Sequence, residues 1–194
     1  MRKCKFALMA LMLSMVSWKA YALEQNVKMG KPTDEEMSMT SYEEDADAKA
    51  VVLYSETDVR YEYNVGLGEF RLVYYRKERV KVLTSEGVEA GNVIIEYVDP
   101  EENNSSRESV SGLKVSTYNL ENGKVVRSKM GSDMQTIERV DKFNSRLKFA
   151  APNVKAGSVI EYEYKLNSDF YFSPNTWYAQ GEYPVFYTKY IISV

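Results

Sequence analysis

From Ala50 onward the chain is written with a period of two, and its clearest passage is residues 147–166. There Ile160, Tyr162, Tyr164 and Leu166 fall on one side of an extended chain and Glu161, Glu163 and Lys165 on the other, the pattern of a half-buried antiparallel strand. Pro152-Asn153 and Ala156-Gly157 place a turn before it, so the passage reads strand, turn, strand. Upstream, residues 51–63 predict one bent strand or two short ones, and residues 64–68 a turn. Residues 70–84 predict the next strand. Its apolar face carries Phe70, Leu72, Tyr74, Val80 and Val82 but is interrupted by Arg76 and Glu78. A sheet edge, a bulge or a cross-strand ion pair is the simplest reading of those two charges, and a functional pair is the alternative.

The same grammar continues to the end. Ser85-Glu86-Gly87 predicts a turn, residues 92–98 a strand, and residues 99–106 an exposed polar loop. Residues 113–120 and 124–130 flank Glu121-Asn122-Gly123, and Asn-Gly between two strand-like runs is the strongest short-range hairpin signal. Residues 136–141 are ambiguous between strand and helix, and residues 144–149 lead into the 147–166 passage. A loop follows through Asn175, then an apolar strand from Val185 that reaches Val194 without a stop signal, so the natural chain is expected to continue. About nine or ten strands at this spacing predict an all-β fold, an antiparallel β-sandwich over residues 50–194 with a short helix in front of it.

That helix is expected to start at Thr33, where Thr33 and Glu36 stand at capping-box spacing and Asp34, Glu35 and Glu36 meet the positive end of the helix dipole. It belongs to a leader, residues 23–49, whose first residues, 23–30, are expected to be mobile. Glu43, Glu44, Asp45 and Asp47 lack the ligand pattern of a calcium loop, because Lys49 and Ala50 occupy two of its required positions, and they read as a solvated acidic helix face. Ahead of the leader, Arg2, Lys3 and Lys5 precede an apolar run over residues 6–18, and Ala20-Tyr21-Ala22 supplies a small-x-small cleavage pattern. Residues 1–22 are therefore expected to be a cleaved signal peptide. The run is too short to span a bilayer, which takes about 20 residues, so no membrane span is expected after cleavage. Cys4 lies before the run, out of place for a lipid anchor. A secreted or periplasmic protein is the expectation.

Composition then narrows the chemistry. Without residues 1–22, 21 basic side chains face 28 acidic ones, a poor balance for nucleic acid. The sequence has no histidine, and its single cysteine is Cys4. Cys-His pairs, the usual Ser-His-Asp triads and the common zinc sites are excluded from the mature chain, and no disulfide framework or cofactor is expected. Gly66-Leu67-Gly68 lacks the third glycine and the helix of a dinucleotide fingerprint. Glu161 and Glu163 stand about 7 Å apart by strand rise, within the range of glycosidase carboxylates, but alternating charges on a solvent face produce the same spacing. Many of the tyrosines sit at alternate strand positions and read as packing. Phe170, Tyr171, Phe172, Trp177, Tyr178 and Tyr183 instead gather among turn residues. Tyr171, Trp177, Tyr178 and Tyr183 are the candidate docking or ligand surface, with a local mini-core beneath the loop as the alternative.

Residues 31–54 (with Tyr42-Glu43-Glu44-Asp45 and Ala50-Val51-Val52-Leu53-Tyr54), residues 80–87, residues 147–164 and residues 177–184 together resemble the bacterial family called domain of unknown function 3857. The resemblance implies a secreted β-rich module standing N-terminal to a transglutaminase-like, papain-fold domain, whose Cys, His and Asp have no counterpart here. It implies a non-catalytic accessory or docking domain, its partner being that downstream domain or another envelope protein. A freestanding glycan- or peptide-binding module is the second reading, and a carboxylate-dependent hydrolase the third.

Overall fold

The computed structural model describes residues 27–66, 68–102 and 106–193. The expected signal peptide and the first residues of the leader lie outside these. Helix α1 (Asp34–Ser38) is followed by nine strands: β1 (Ala50–Asn64), β2 (Glu69–Val82), β3 (Asn92–Val98), β4 (Glu108–Glu121), β5 (Lys124–Lys129), β6 (Gln135–Arg139), β7 (Asn144–Ala150), β8 (Val159–Ser168) and β9 (Thr188–Ser193). Six of them form one sheet in the order β5-β4-β8-β2-β1-β9, and three form a second in the order β3-β7-β6. Val52, Val82 and Ile160 from the larger sheet share one core with Ile95, Leu147 and Phe149 from the smaller. This is the expected all-β sandwich with a short N-terminal helix. Its strand pairings are antiparallel except that β9 lies parallel to β1 at the edge of the larger sheet.

Local sequence explains most of these elements. Thr33 caps α1 with both halves of the capping box: Glu36 N donates to Thr33 Oγ1 (3.2 Å) and Thr33 N to Glu36 Oε2 (2.6 Å). Asn122 and Gly123 join β4 to β5 with φ of 50° and 74°, the two positive values that a type I′ turn needs. The ambiguous residues 136–141 contribute to an exposed strand, β6, held on one side by β7. In the passage 147–166, β7 and β8 join different sheets, so its turn carries the chain across the sandwich.

The bend expected in β1 is a register shift between Val52 and Tyr54. It changes which residues face the core. Ala50 and Val52 point inward before it, and Val59 and Tyr61 after it, so the inward set moves from even to odd positions.

Two expectations for the leader are corrected. Lys28 and Gly30 are held in place, because Arg79 donates to Lys28 O (2.9 Å) and Gly30 N donates to Glu161 Oε2 (2.7 Å). Glu43, Glu44, Asp45 and Asp47 are exposed, but in turns and not on a helix. Asp45 Oδ1 accepts from Asp47 N (3.1 Å), the local side-chain bond by which aspartate competes with helix.

Gly87, in the 3-10 turn Glu86–Gly91, is fixed by close approach: a β-carbon there would stand 2.0 Å from the carbonyl oxygen of Lys49. Gly87→Ala is expected to cost about 1 to 3 kcal/mol through forced backbone displacement, measured as a fall in the urea midpoint. Gly181→Ala, with open space around its position, serves as the neutral control.

Candidate functional site

The inner face of the larger sheet is apolar at both ends and polar in the middle. Val80, Val82 and Ile160 lie toward one end and Val59, Leu72 and Leu166 toward the other. Between them, Ser55 and Thr57 on β1 pair with Glu78 and Arg76 on β2, which pair in turn with Tyr162 and Tyr164 on β8. The explanation of Arg76 and Glu78 as an edge or an ion pair is thereby corrected. Strand β2 lies inside the sheet, between β1 and β8. Among the described residues, Arg76 has neither a hydrogen bond nor an ion pair within 4.0 Å.

Two cavities open on this strip. The larger, about 590 Å³, lies between the sheets and is lined by Arg76, Glu78, Glu89, Asn92, Tyr162 and Gln180 among others. A smaller one, about 140 Å³, is bounded by Thr57, Arg76, Tyr164, Asn175, Trp177 and Tyr190. Arg76 borders both. Thr57 is 1% exposed, and its Oγ1 has no hydrogen-bond partner. A buried hydroxyl left in that condition costs about 1 to 3 kcal/mol. Glu78 accepts a hydrogen bond from the Tyr162 hydroxyl. Burial raises its carboxyl to about 7, against the pull of the Arg76 charge. Burial also raises the phenols of Tyr164 and Tyr190, and Arg76 opposes both shifts.

The candidate aromatics divide among several places. Trp177 is half-buried in the wall of the smaller cavity, its ring 5.2 Å from that of Tyr190. Tyr178, 78% exposed, and the half-buried Tyr183 line the larger cavity. Tyr171 borders neither; it packs on the core, its ring 4.1 Å from that of Phe172, and its carbonyl accepts from the Tyr61 hydroxyl (3.2 Å). Sequence reasoning singled out Arg76 and Glu78 but missed Ser55 and Thr57. Their inward position depends on the register shift in β1, and the only sign of it was that β1 read as bent.

Glu161 and Glu163 both border a cavity of about 230 Å³ beside Gly30, Lys114 and Arg127, but each carboxylate there is already engaged by other groups. Glu161 is 4% exposed, on the outer face of the larger sheet. Its oxygens are taken by Arg79 (2.5 and 2.8 Å), Tyr118 (3.0 Å) and Gly30 N (2.7 Å). Glu163 pairs with Lys114 at the surface (2.7 Å). A carboxylate whose lone pairs are already engaged in a buried network is poorly placed to attack or to move a proton. Among the described residues, no group of three or more Asp, Glu, Cys or His side chains could hold a metal ion.

Comparison with solved structures gives partial matches of low identity. A "putative protease" from Parabacteroides distasonis is 13% identical with a TM-score of 0.47, the alignment covering 65% of this chain and 24% of that one. A "putative nutrient binding protein" from Legionella pneumophila is 9% identical with a TM-score of 0.30, covering 62% of this chain and 40% of that one. Yeast LTA4 hydrolase in complex with bestatin is 12% identical with a TM-score of 0.32, covering 70% and 18%. The chain thus spans less than half the length of each. Comparison with curated proteins gives no match. Residues 69–194 match the family described as a domain of unknown function with a solved structure, DUF3857, and the chain belongs to that family.

Proposed function

We propose that this chain is a non-catalytic accessory domain of an exported transglutaminase-like protein, and that it docks a segment of that protein at the mouth of the cleft between its sheets. The observation that carries the reading is the make-up of this mouth. Tyr178 projects there, 78% exposed, in a cavity shared with Gln180, Tyr183 and Glu182. These are binding groups, rings with a polar handle beside amide and carboxylate partners. The sequence provides no imidazole, and its single thiol is Cys4, so the nucleophile and base of a papain-like reaction must come from elsewhere.

Tyr178→Ala is expected to weaken association with the transglutaminase-like domain of the same protein by about 2 kcal/mol, roughly 30-fold, read by isothermal titration, with β-sheet circular dichroism unchanged. Unaltered affinity, or turnover of peptide, ester or glycan substrates by the purified domain, would overturn the reading. A second reading, a freestanding peptide or glycan binder, is favoured by the 590 Å³ of the cleft, a volume usual for small-ligand pockets. Saturable binding of such a ligand, lost in Tyr178→Ala, would select it.

A further inference from the structure

We propose that Arg76 and Thr57 form a receptor for the carboxylate of a short peptide, seated in the smaller cavity at the floor of the cleft. The inference concerns the floor, not the mouth, and holds whether or not the mouth docks a domain. Four observations converge on it. Arg76 is a cation on the inner face of a central strand, and among the described residues no anion lies within 4.0 Å of it and no acceptor within hydrogen-bond reach. Its cross-strand neighbour Thr57 is 1% exposed, carries an unpartnered hydroxyl, and lines the same cavity. Asn175 and Trp177 close the other side, with Asn175 N donating to the Tyr74 hydroxyl (2.8 Å) and Asn175 Nδ2 to Glu108 Oε1 (3.0 Å), so that wall is fixed. Finally, Arg76 also borders the larger cavity, which gives a ligand held at Arg76 somewhere to extend.

The chemistry selects the ligand. A guanidinium with free N–H groups beside a hydroxyl donor takes a planar oxyanion in a forked arrangement. Glu78 stands two residues along on the same face, and Glu89 lines the adjoining cavity. Above pH 7, where Glu78 has lost its proton, this negative charge disfavours a dianion such as phosphate more than a singly charged carboxylate. The larger cavity offers Asn92 and Gln180 amides, Tyr162 and Tyr178 rings and acidic side chains, which suit the amide N–H groups and amines of a peptide and repel a second acid.

The test uses N-acetyl-Ala-Ala with a free terminal carboxylate, its C-terminal amide, and inorganic phosphate, each titrated into the protein by NMR and calorimetry. The free acid is expected to shift the Arg76 Nε–H and Thr57 methyl resonances, with the amide silent and phosphate binding more weakly. Arg76→Gln should lower affinity for the acid about tenfold or more, and Thr57→Val should lower it to a smaller degree, with circular dichroism unchanged in both. If Arg76→Gln does not fold, Arg76→Lys keeps the charge, loses the fork, and should still weaken binding. The proposal is overturned if the amide binds as well as the acid, if phosphate binds as tightly or more tightly, if the acid does not bind at millimolar concentration, or if a folded Arg76 variant binds unchanged.

Discussion

Replacing Arg79 by alanine is expected to cost about 3 to 5 kcal/mol of folding stability, enough to lower Tm by roughly 10 °C or more. Arg79 is 2% exposed on the outer face of β2. It holds Glu161 (2.5 Å), Glu36 (2.7 and 2.9 Å) and the carbonyl of Lys28 (2.9 Å), and so ties the N-terminal strap to the sheet. Removing it leaves the buried Glu161 with only the Tyr118 hydroxyl and Gly30 N for company. Glu36 suffers less, since it is partly exposed and still accepts from Thr33 N. The cost therefore resides mainly in the stranded Glu161, and removing that carboxyl as well should recover much of it. Arg79→Met combined with Glu161→Leu is expected to be clearly more stable than Arg79→Ala, because a buried pair exchanged for apolar groups is often close to neutral. Chemical denaturation of the single and double variants decides the matter. A single variant within 1 kcal/mol of the parent would show that the pair does not hold the strap.

The contrast between this cluster and the inner polar strip shows what period-two reading captures. In β8 the alternation is legible and correct: Ile160, Tyr162, Tyr164 and Leu166 reach the core, and Glu161, Glu163 and Lys165 point the other way. What alternation does not reveal is whether the polar side meets water. Glu161 lies on the polar side of its strand, yet it is buried, because Gly30, 131 residues earlier in the chain, folds over it. No local pattern encodes a contact at that separation. The Asn122-Gly123 hairpin and the Thr33 capping box were legible because each is decided within four residues. The parallel addition of β9 was not, since it depends on where the 170–185 segment delivers the chain. For the candidate site the sequence exposed the anomaly at Arg76 and Glu78 but not its cause. Both residues face a cleft that the smaller sheet leaves partly uncovered, with β3 residues Asn92 and Val93 on its far wall.

Glu78 is expected to give the protein a pH dependence in an unusual direction. Its carboxyl titrates at about 7 in the folded chain, against 4.5 ordinarily, because burial penalises the charged form. Between those two values the folded protein holds a proton that the unfolded chain has released, so stability falls as pH rises through this window and levels off above 7. The full shift corresponds to about 3 kcal/mol. The carboxyl looks onto an open cleft, so about 1 to 3 kcal/mol is the expected loss between pH 5 and pH 8. Glu78→Gln keeps an acceptor for the Tyr162 hydroxyl and removes the titration. It should be more stable than the parent at pH 8 and nearly equal to it at pH 5. Glu138 does not confuse the result: Arg146 and Lys148 lower it to about 2, so its contribution is lost only as pH falls below the ordinary carboxylate value. Beside Glu78 on the same sheet face stand Arg76, Ser55 and Tyr162, and Glu89, Glu182 and Tyr183 line the rest of the cavity. Of these, Glu89 and Glu182 are the other carboxylates, and Glu89→Gln should leave the slope between pH 5 and 7 in place. Urea denaturation of the three proteins across pH 5 to 8 reads the effect directly. Parallel curves for the parent and Glu78→Gln would show that Glu78 stays ionised throughout and that the floor of the cleft is wetter than its burial indicates.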